Sequence, residues 1–164
     1  MKLLITGGAG YIGSITDDVL RAEGHTTVIF DRVPVLKNKD ASESIVGDLR
    51  DFSLVKKVFQ THSFDAVIHF AASTLAGESM EMPYAYFENN ILGGLNVLEA
   101  MRRSSCASFI FSSTCAVYGL PSRVPVNEDE SIKPVSVYGA SKRMFEEILI
   151  WYESLYGIKI GILR

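Results

Sequence analysis

The sequence has only two cysteines, Cys106 and Cys115, in 164 residues, too few for the disulfide framework that staples small secreted domains. That scarcity predicts a reducing, cytoplasmic setting. Long apolar runs are missing too. The run that follows Lys2 stops after Leu3, Leu4 and Ile5, whereas a signal peptide needs ~7 to 15 apolar residues and a membrane span about 20. No export and no membrane are expected. Charge of one sign is not in excess: sixteen Lys and Arg against nineteen Asp and Glu leave a net charge of -3, which creates no positive field for a nucleic-acid backbone. The three histidines, His25, His62 and His69, lack metal-ligand spacing, so no metal is expected. His69, within an apolar run, reads as a packed strand residue.

What is present is ordinary globular composition, 48% hydrophobic and 21% charged, in a length that suits one domain. Short apolar runs alternate with helical periods, the rhythm of strands joined by crossover helices. Strands are expected at Lys2 to Thr6, Thr26 to Asp31, Ser44 to Gly47, Ala66 to Phe70, Ser108 to Ser112 and Lys159 to Leu163. Ile12, Ile15, Val19 and Leu20 mark one inward helix face, and Leu54, Val55, Val58 and Phe59 a second. Two longer helices are predicted, from about Pro83 to Arg103 with Phe87, Ile91, Leu95, Leu98 and Met101 inward, and from about Val137 to Tyr156 with Phe145, Ile148, Leu149, Tyr152 and Leu155 inward. Val33 to Ala41 and the proline-bearing Leu120 to Pro134 read as loops, and the Glu128-Asp129-Glu130 run as a solvated part of the second. The expected fold is α/β, a doubly wound parallel sheet of six strands in the order 3-2-1-4-5-6, the Rossmann arrangement.

Thr6-Gly7-Gly8-Ala9-Gly10-Tyr11-Ile12-Gly13 follows the first strand and opens the first helix. A pyrophosphate can approach a backbone only where side chains are absent, and the free N–H groups of a helix N-terminus bind it. Gly7 permits the tight turn, Gly10 the close approach and Gly13 close packing of helix on strand. Asp31 ends the second strand, where an acid accepts from an adenosine ribose and repels a 2′-phosphate, favouring NAD over NADP; Arg32 beside it works against that preference. Asp48 follows the third strand and suits either an adenine amino group or a role as helix cap or turn residue.

Tyr138 and Lys142 stand four residues apart and share one helix face. A neighbouring ammonium favours a phenolate, so the pair suits proton transfer. Taken alone, the spacing is that of a common surface pair. It gains weight from Ser112-Ser113-Thr114 at the end of the fifth strand, at the sheet edge where α/β proteins bind ligands.

Seven segments together carry a resemblance over nearly the whole chain: TGGAGYIG from Thr6, GDLRD from Gly47, VIHFAA from Val67, GES from Gly77, NNILGGLNVLEAM from Asn89, FSSTCAVYG from Phe111 and VYGASK from Val137. The set resembles the extended short-chain dehydrogenase/reductase family and, within it, the UDP-glucose 4-epimerases. The resemblance implies NAD contacts from Gly7, Gly10, Tyr11, Ile12, Gly13, Asp31, Asp48, Leu49, Phe70, Ala71, Ala72, Asn89, Ser112, Tyr138 and Lys142. It implies catalytic roles for Thr114, Tyr138 and Lys142 in epimerisation at carbon 4 of a UDP-sugar through a 4-keto intermediate. Related dehydratases carry an Asp-Glu pair where Cys115 and Ala116 stand here, which disfavours dehydration. Ile15, Gly94 and Thr74 depart from a histidine, a threonine and, in some members, a lysine. The resemblance also implies a homodimer through the two long helices, with Trp151 and Tyr156 at its surface. It places a substrate-binding C-terminal domain after residues 1–164, and this sequence lacks it. Three readings therefore stand: an epimerase-type enzyme, an NAD-binding module without turnover, and an interaction protein.

Overall fold

The computed structural model describes residues 1–35 and 43–164, so most of the loop expected at Val33 to Ala41 lies outside the described residues. In chain order the elements are β1 (Lys2–Thr6), α1 (Tyr11–Ala22), β2 (Thr26–Asp31), β3 (Glu43–Val46), α2 (Phe52–Thr61), β4 (Ala66–His69), α3 (Ala76–Glu81), α4 (Pro83–Phe87), α5 (Gly93–Arg102), β5 (Ser108–Ser112), α6 (Val137–Tyr156) and β6 (Lys159–Leu163). All neighbouring strands pair in parallel, in the order β3-β2-β1-β4-β5-β6. This is the expected Rossmann sheet. Reversal of winding between β1 and β4 opens a crevice at the carboxyl edge.

Alternation along the strands divides the core. Leu4, Val28, Phe30, Val67, Phe109 and Phe111 pack with Val55 and Val58 of α2, Val97, Leu98 and Met101 of α5, and Phe145 and Leu149 of α6. The opposite face holds a smaller cluster of Leu3, Ala66 and Ile68, with Leu20 and Phe70 against it. His69 is buried, its Nδ1 2.8 Å from the Thr6 hydroxyl, with the rings of Phe109, Phe111 and Phe145 around it.

Several expected faces are corrected. In α1 the buried residues are Gly13 and Asp17, while Ile12, Ile15 and Val19 are 57%, 48% and 56% exposed. The helix lies on the sheet through Gly13, Asp17 and Leu20, because the buried Asp17 carboxylate is satisfied by the Thr27 hydroxyl at 2.6 Å and a buried polar group needs such a partner. The helical stretch from Pro83 to Arg102 is interrupted by a π-helical turn over Glu88–Leu92. Its wider turn shifts the helical phase, so Tyr86 and Asn90 are buried, and Phe87, Ile91 and Leu95 only half-buried. In α6, Leu155 is exposed near the C-terminal end rather than inward. Helix α3 and a 3-10 turn over Cys115–Tyr118 were not anticipated; both are short and leave little periodic signal. The third strand begins one residue before its expected start and ends one before its expected end.

Candidate active site

A cleft of about 570 Å³ runs along the carboxyl edge, from the turn after β1 past the ends of β2 and β3 to the end of β5 and the start of α6. Every residue proposed from sequence as a site residue lines it: Gly7, Gly10, Tyr11, Ile12, Gly13, Asp31, Asp48, Leu49, Phe70, Ala71, Ala72, Asn89, Ser112, Thr114, Tyr138 and Lys142. Phe30, Arg32, Gly47, Thr74 and Ser113 complete the wall. Arg32 and Thr74 thus border the same space as the residues proposed to bind the cofactor.

The glycine turn is built for close approach. Gly7 has φ +73°, and a side chain there would press on the Ala71 backbone, 2.6 Å from its nitrogen. A Cβ on Gly13 would strike the Gly7 carbonyl oxygen. No side chain caps α1, so the first-turn amides beside the cleft remain the helix's own donors for an anion. The residues present therefore fit a diphosphate.

Asp31 accepts the Ala9 amide at 3.0 Å and the Val33 amide at 3.2 Å, which fixes its carboxylate at the cleft wall. Asp48 does not cap α2; Asp51 does, accepting the Leu54 amide at 3.1 Å. Asp48 instead forms a local turn with the Arg50 amide and binds the Arg50 guanidinium at 2.7 Å. Arg50 continues to Glu88 at 2.6 Å. Hydrogen bonding by Arg50 holds the Asp48 carboxyl below the usual carboxylate range.

At the far end, Ser136 caps α6 by accepting the Gly139 amide at 3.1 Å, which starts the helix one residue before Tyr138. Lys142 follows one turn later, 3% exposed. Its Nζ donates to the Ser112 carbonyl at 2.8 Å and lies 4.7 Å from the centre of the Phe111 ring. Burial pushes its ammonium down to about 8. The Thr114 hydroxyl accepts the Ala116 amide at 3.2 Å and keeps its own proton to donate. Asn89 lies on the π turn, its amide donating to Asn90 at 3.0 Å. Asn90 in turn accepts the Ser73 amide at 2.8 Å and donates to Ser141 at 3.0 Å. The π turn thus ties α6 to the loop after β4. Asn90 was missed in the sequence because nothing but its neighbour Asn89 flags it. Among the described residues no cluster of three His, Cys, Asp or Glu could hold a metal, and no helix is long and apolar enough to cross a membrane.

Comparison with known proteins places this geometry in a family. The family described as NAD dependent epimerase/dehydratase matches residues 3–164. The UDP-glucose 4-epimerase of Halalkalibacterium halodurans is 39% identical over the whole chain and 50% of its own length. The crystal structure of UDP-glucose 4-epimerase from Brucella ovis in complex with NAD superposes with a TM-score of 0.92 at 36% identity, over 99% of this chain and 51% of that one. That of the Bifidobacterium longum enzyme in complex with NAD+ and UDP gives 0.93 at 32% identity, over 100% and 52%. The chain spans about half the length of the curated relatives it matches. On this agreement of sequence, sheet and cleft, the chain belongs to the NAD dependent epimerase/dehydratase family.

Proposed function

We propose that residues 1–164 are the NAD-binding module of a UDP-sugar 4-epimerase, holding the coenzyme and supplying the groups that move the substrate proton. The observation that carries this reading is a single cleft joining an uncapped helix N-terminus and glycine turn at one end to Tyr138, Lys142 and Thr114 at the other. The backbone amides of Tyr11 to Gly13 would hold the diphosphate, with Gly10 allowing its close approach, Asp31 a ribose, Asp48 and Leu49 the adenine end, and Phe70, Ala71, Ala72, Asn89 and Ser112 the remaining cofactor wall. When bound, the nicotinamide supplies reversible hydride acceptance, which lets a sugar carbon be oxidised and reduced again without net redox change.

The chain's own residues then handle the proton. Tyr138 removes it from the sugar 4-hydroxyl, and Lys142 supplies positive charge on the same helix face. Thr114 donates to the substrate oxygen from the strand end. A 4-keto sugar that turns over in the site gets its proton back from Tyr138. The UDP end of the substrate is assigned to the length by which the relatives exceed this chain. We further propose a cytoplasmic setting, from the two cysteines, and a homodimer through the stretch Pro83 to Arg102 and α6, whose Trp151 and Tyr156 are 65% and 50% exposed.

Calorimetric titration with NAD, followed by incubation with UDP-galactose and chromatography for UDP-glucose, tests the reading. NAD binding without conversion supports a module that needs a further segment. Conversion supports the second reading, a self-sufficient epimerase, which the presence of all three reactive groups in one cleft favours. Failure to bind NAD overturns both.

A further inference from the structure

The strongest unassigned feature is a charged cluster behind the reactive end of the cleft. Glu146 is wholly buried on α6, one turn past Lys142 and two past Tyr138, so the three share a helix face. Its Oε1 accepts a hydrogen bond from the buried Ser113 hydroxyl. Arg164, just past β6, grips both carboxylate oxygens, at 3.0 and 2.9 Å, and also donates to the Tyr118 hydroxyl at 3.2 Å. Arg143 approaches at 3.5 Å.

These bonds close a ring around residues 112–118. Lys142 holds the Ser112 carbonyl, Glu146 holds Ser113, and the Ser113 amide donates to the Leu163 carbonyl at 2.7 Å. Thr114 then caps the 3-10 turn that ends at Tyr118, and Tyr118 returns to Arg164. A buried ion pair is a poor source of stability, since apolar residues of the same volume do as well or better. What it supplies, and an apolar pair would not, is directional bonding at fixed points. We infer that Glu146 is a positioning residue, which through Ser113 and Arg164 locks the strand-end hydroxyl row against the helix that carries Tyr138 and Lys142. The catalytic part of this inference rests on the function proposed above; the clamp itself does not.

The test uses Ser113→Ala and Glu146→Gln in the same protein, with melting temperature, NAD affinity, kcat and KM for UDP-galactose, and amide hydrogen exchange of the NAD complex. Serine to alanine removes one hydroxyl without opening a large hole, so it keeps the test alive if Glu146→Gln fails to fold. The expected result is NAD affinity and KM within about threefold of the parent, with kcat lower by at least about tenfold, as small misplacements of reacting groups produce. Exchange at residues 113–118 should rise by about tenfold or more while β1 and β2 are unchanged. A folded Ser113→Ala protein with parental kcat and parental exchange would overturn the inference. So would NAD affinity, melting temperature and kcat falling together, the mark of a general loss of structure. If the parent binds NAD but does not turn over, self-sufficient turnover fails on its own, and the exchange data decide the clamp.

Discussion

Replacing Lys142 with methionine should make the protein more stable and less capable. The ammonium is pushed from 10.5 down to about 8 by burial alone, and at ~1.4 kcal/mol per pH unit this corresponds to about 3 kcal/mol of penalty for keeping the charge at neutral pH. Methionine has similar length and no charge. It loses the bond to the Ser112 carbonyl, which costs about 1 kcal/mol. The net gain at pH 7 is about 2 kcal/mol, or roughly 4 to 8 °C in melting temperature for a domain of this size. The pH dependence follows from the direction of the shift. Between about 8 and 10.5 the unfolded chain holds the Lys142 proton and the native state does not, so native stability of the parent rises with pH across that window. The advantage of Lys142→Met should therefore be largest below pH 8 and gone by about pH 10. Scanning calorimetry of both proteins at pH 7 and 10 checks this. A variant that melts below the parent at pH 7, or a difference that does not shrink with pH, would refute the reasoning.

Three further predictions concern separate groups. Burial, with the Lys142 charge adding to it, pushes the His69 imidazole from 6.5 down to about 3; below pH 6.5 the unfolded chain takes up a proton that the fold refuses. Between pH 7 and 4.5 the parent should lose about 3 kcal/mol more than His69→Gln in urea titrations, and equal losses would dismiss the effect. A Cβ at Gly94 would run into the Phe145 ring, which is fully buried among aromatic neighbours. Gly94→Ala should therefore destabilise by about 1 kcal/mol, since crowding of ~1 to 3 kcal/mol exceeds the ~1 kcal/mol gained in helix propensity; a raised urea midpoint would contradict this. Asp31→Asn should weaken NAD binding by about tenfold or more while easing NADP binding, and unchanged selectivity in competitive titration would remove Asp31 from cofactor choice.

The parts of the molecule that were legible in its sequence are those set by local rules. The strand runs alternate with helical periods, and Gly7, Gly10 and Gly13 run from the end of β1 into the first turn of α1, so sheet and turn follow from spacing, while cleft-wall residues such as Leu49, Phe70 and Asn89 come only from the family resemblance. The misses have tertiary causes. Ile12, Ile15 and Val19 form a plausible inward face, but Gly13 and the Asp17–Thr27 bond turn α1 the other way. The π turn at Glu88–Leu92 changes which side of the helix is buried, and no periodic pattern announces it. Glu146 looks like any helical acid beside Arg143 and Glu147; only its distant partners Ser113 and Arg164 show it to be buried and bound.

The most direct test of the central claim is where the nicotinamide lies. A structure of the protein crystallised with NAD should show the diphosphate on the Tyr11 to Gly13 amides and the nicotinamide ring beside Tyr138. A folded protein with no NAD in that cleft at saturating concentration, or with the ring turned away from Tyr138, would contradict it.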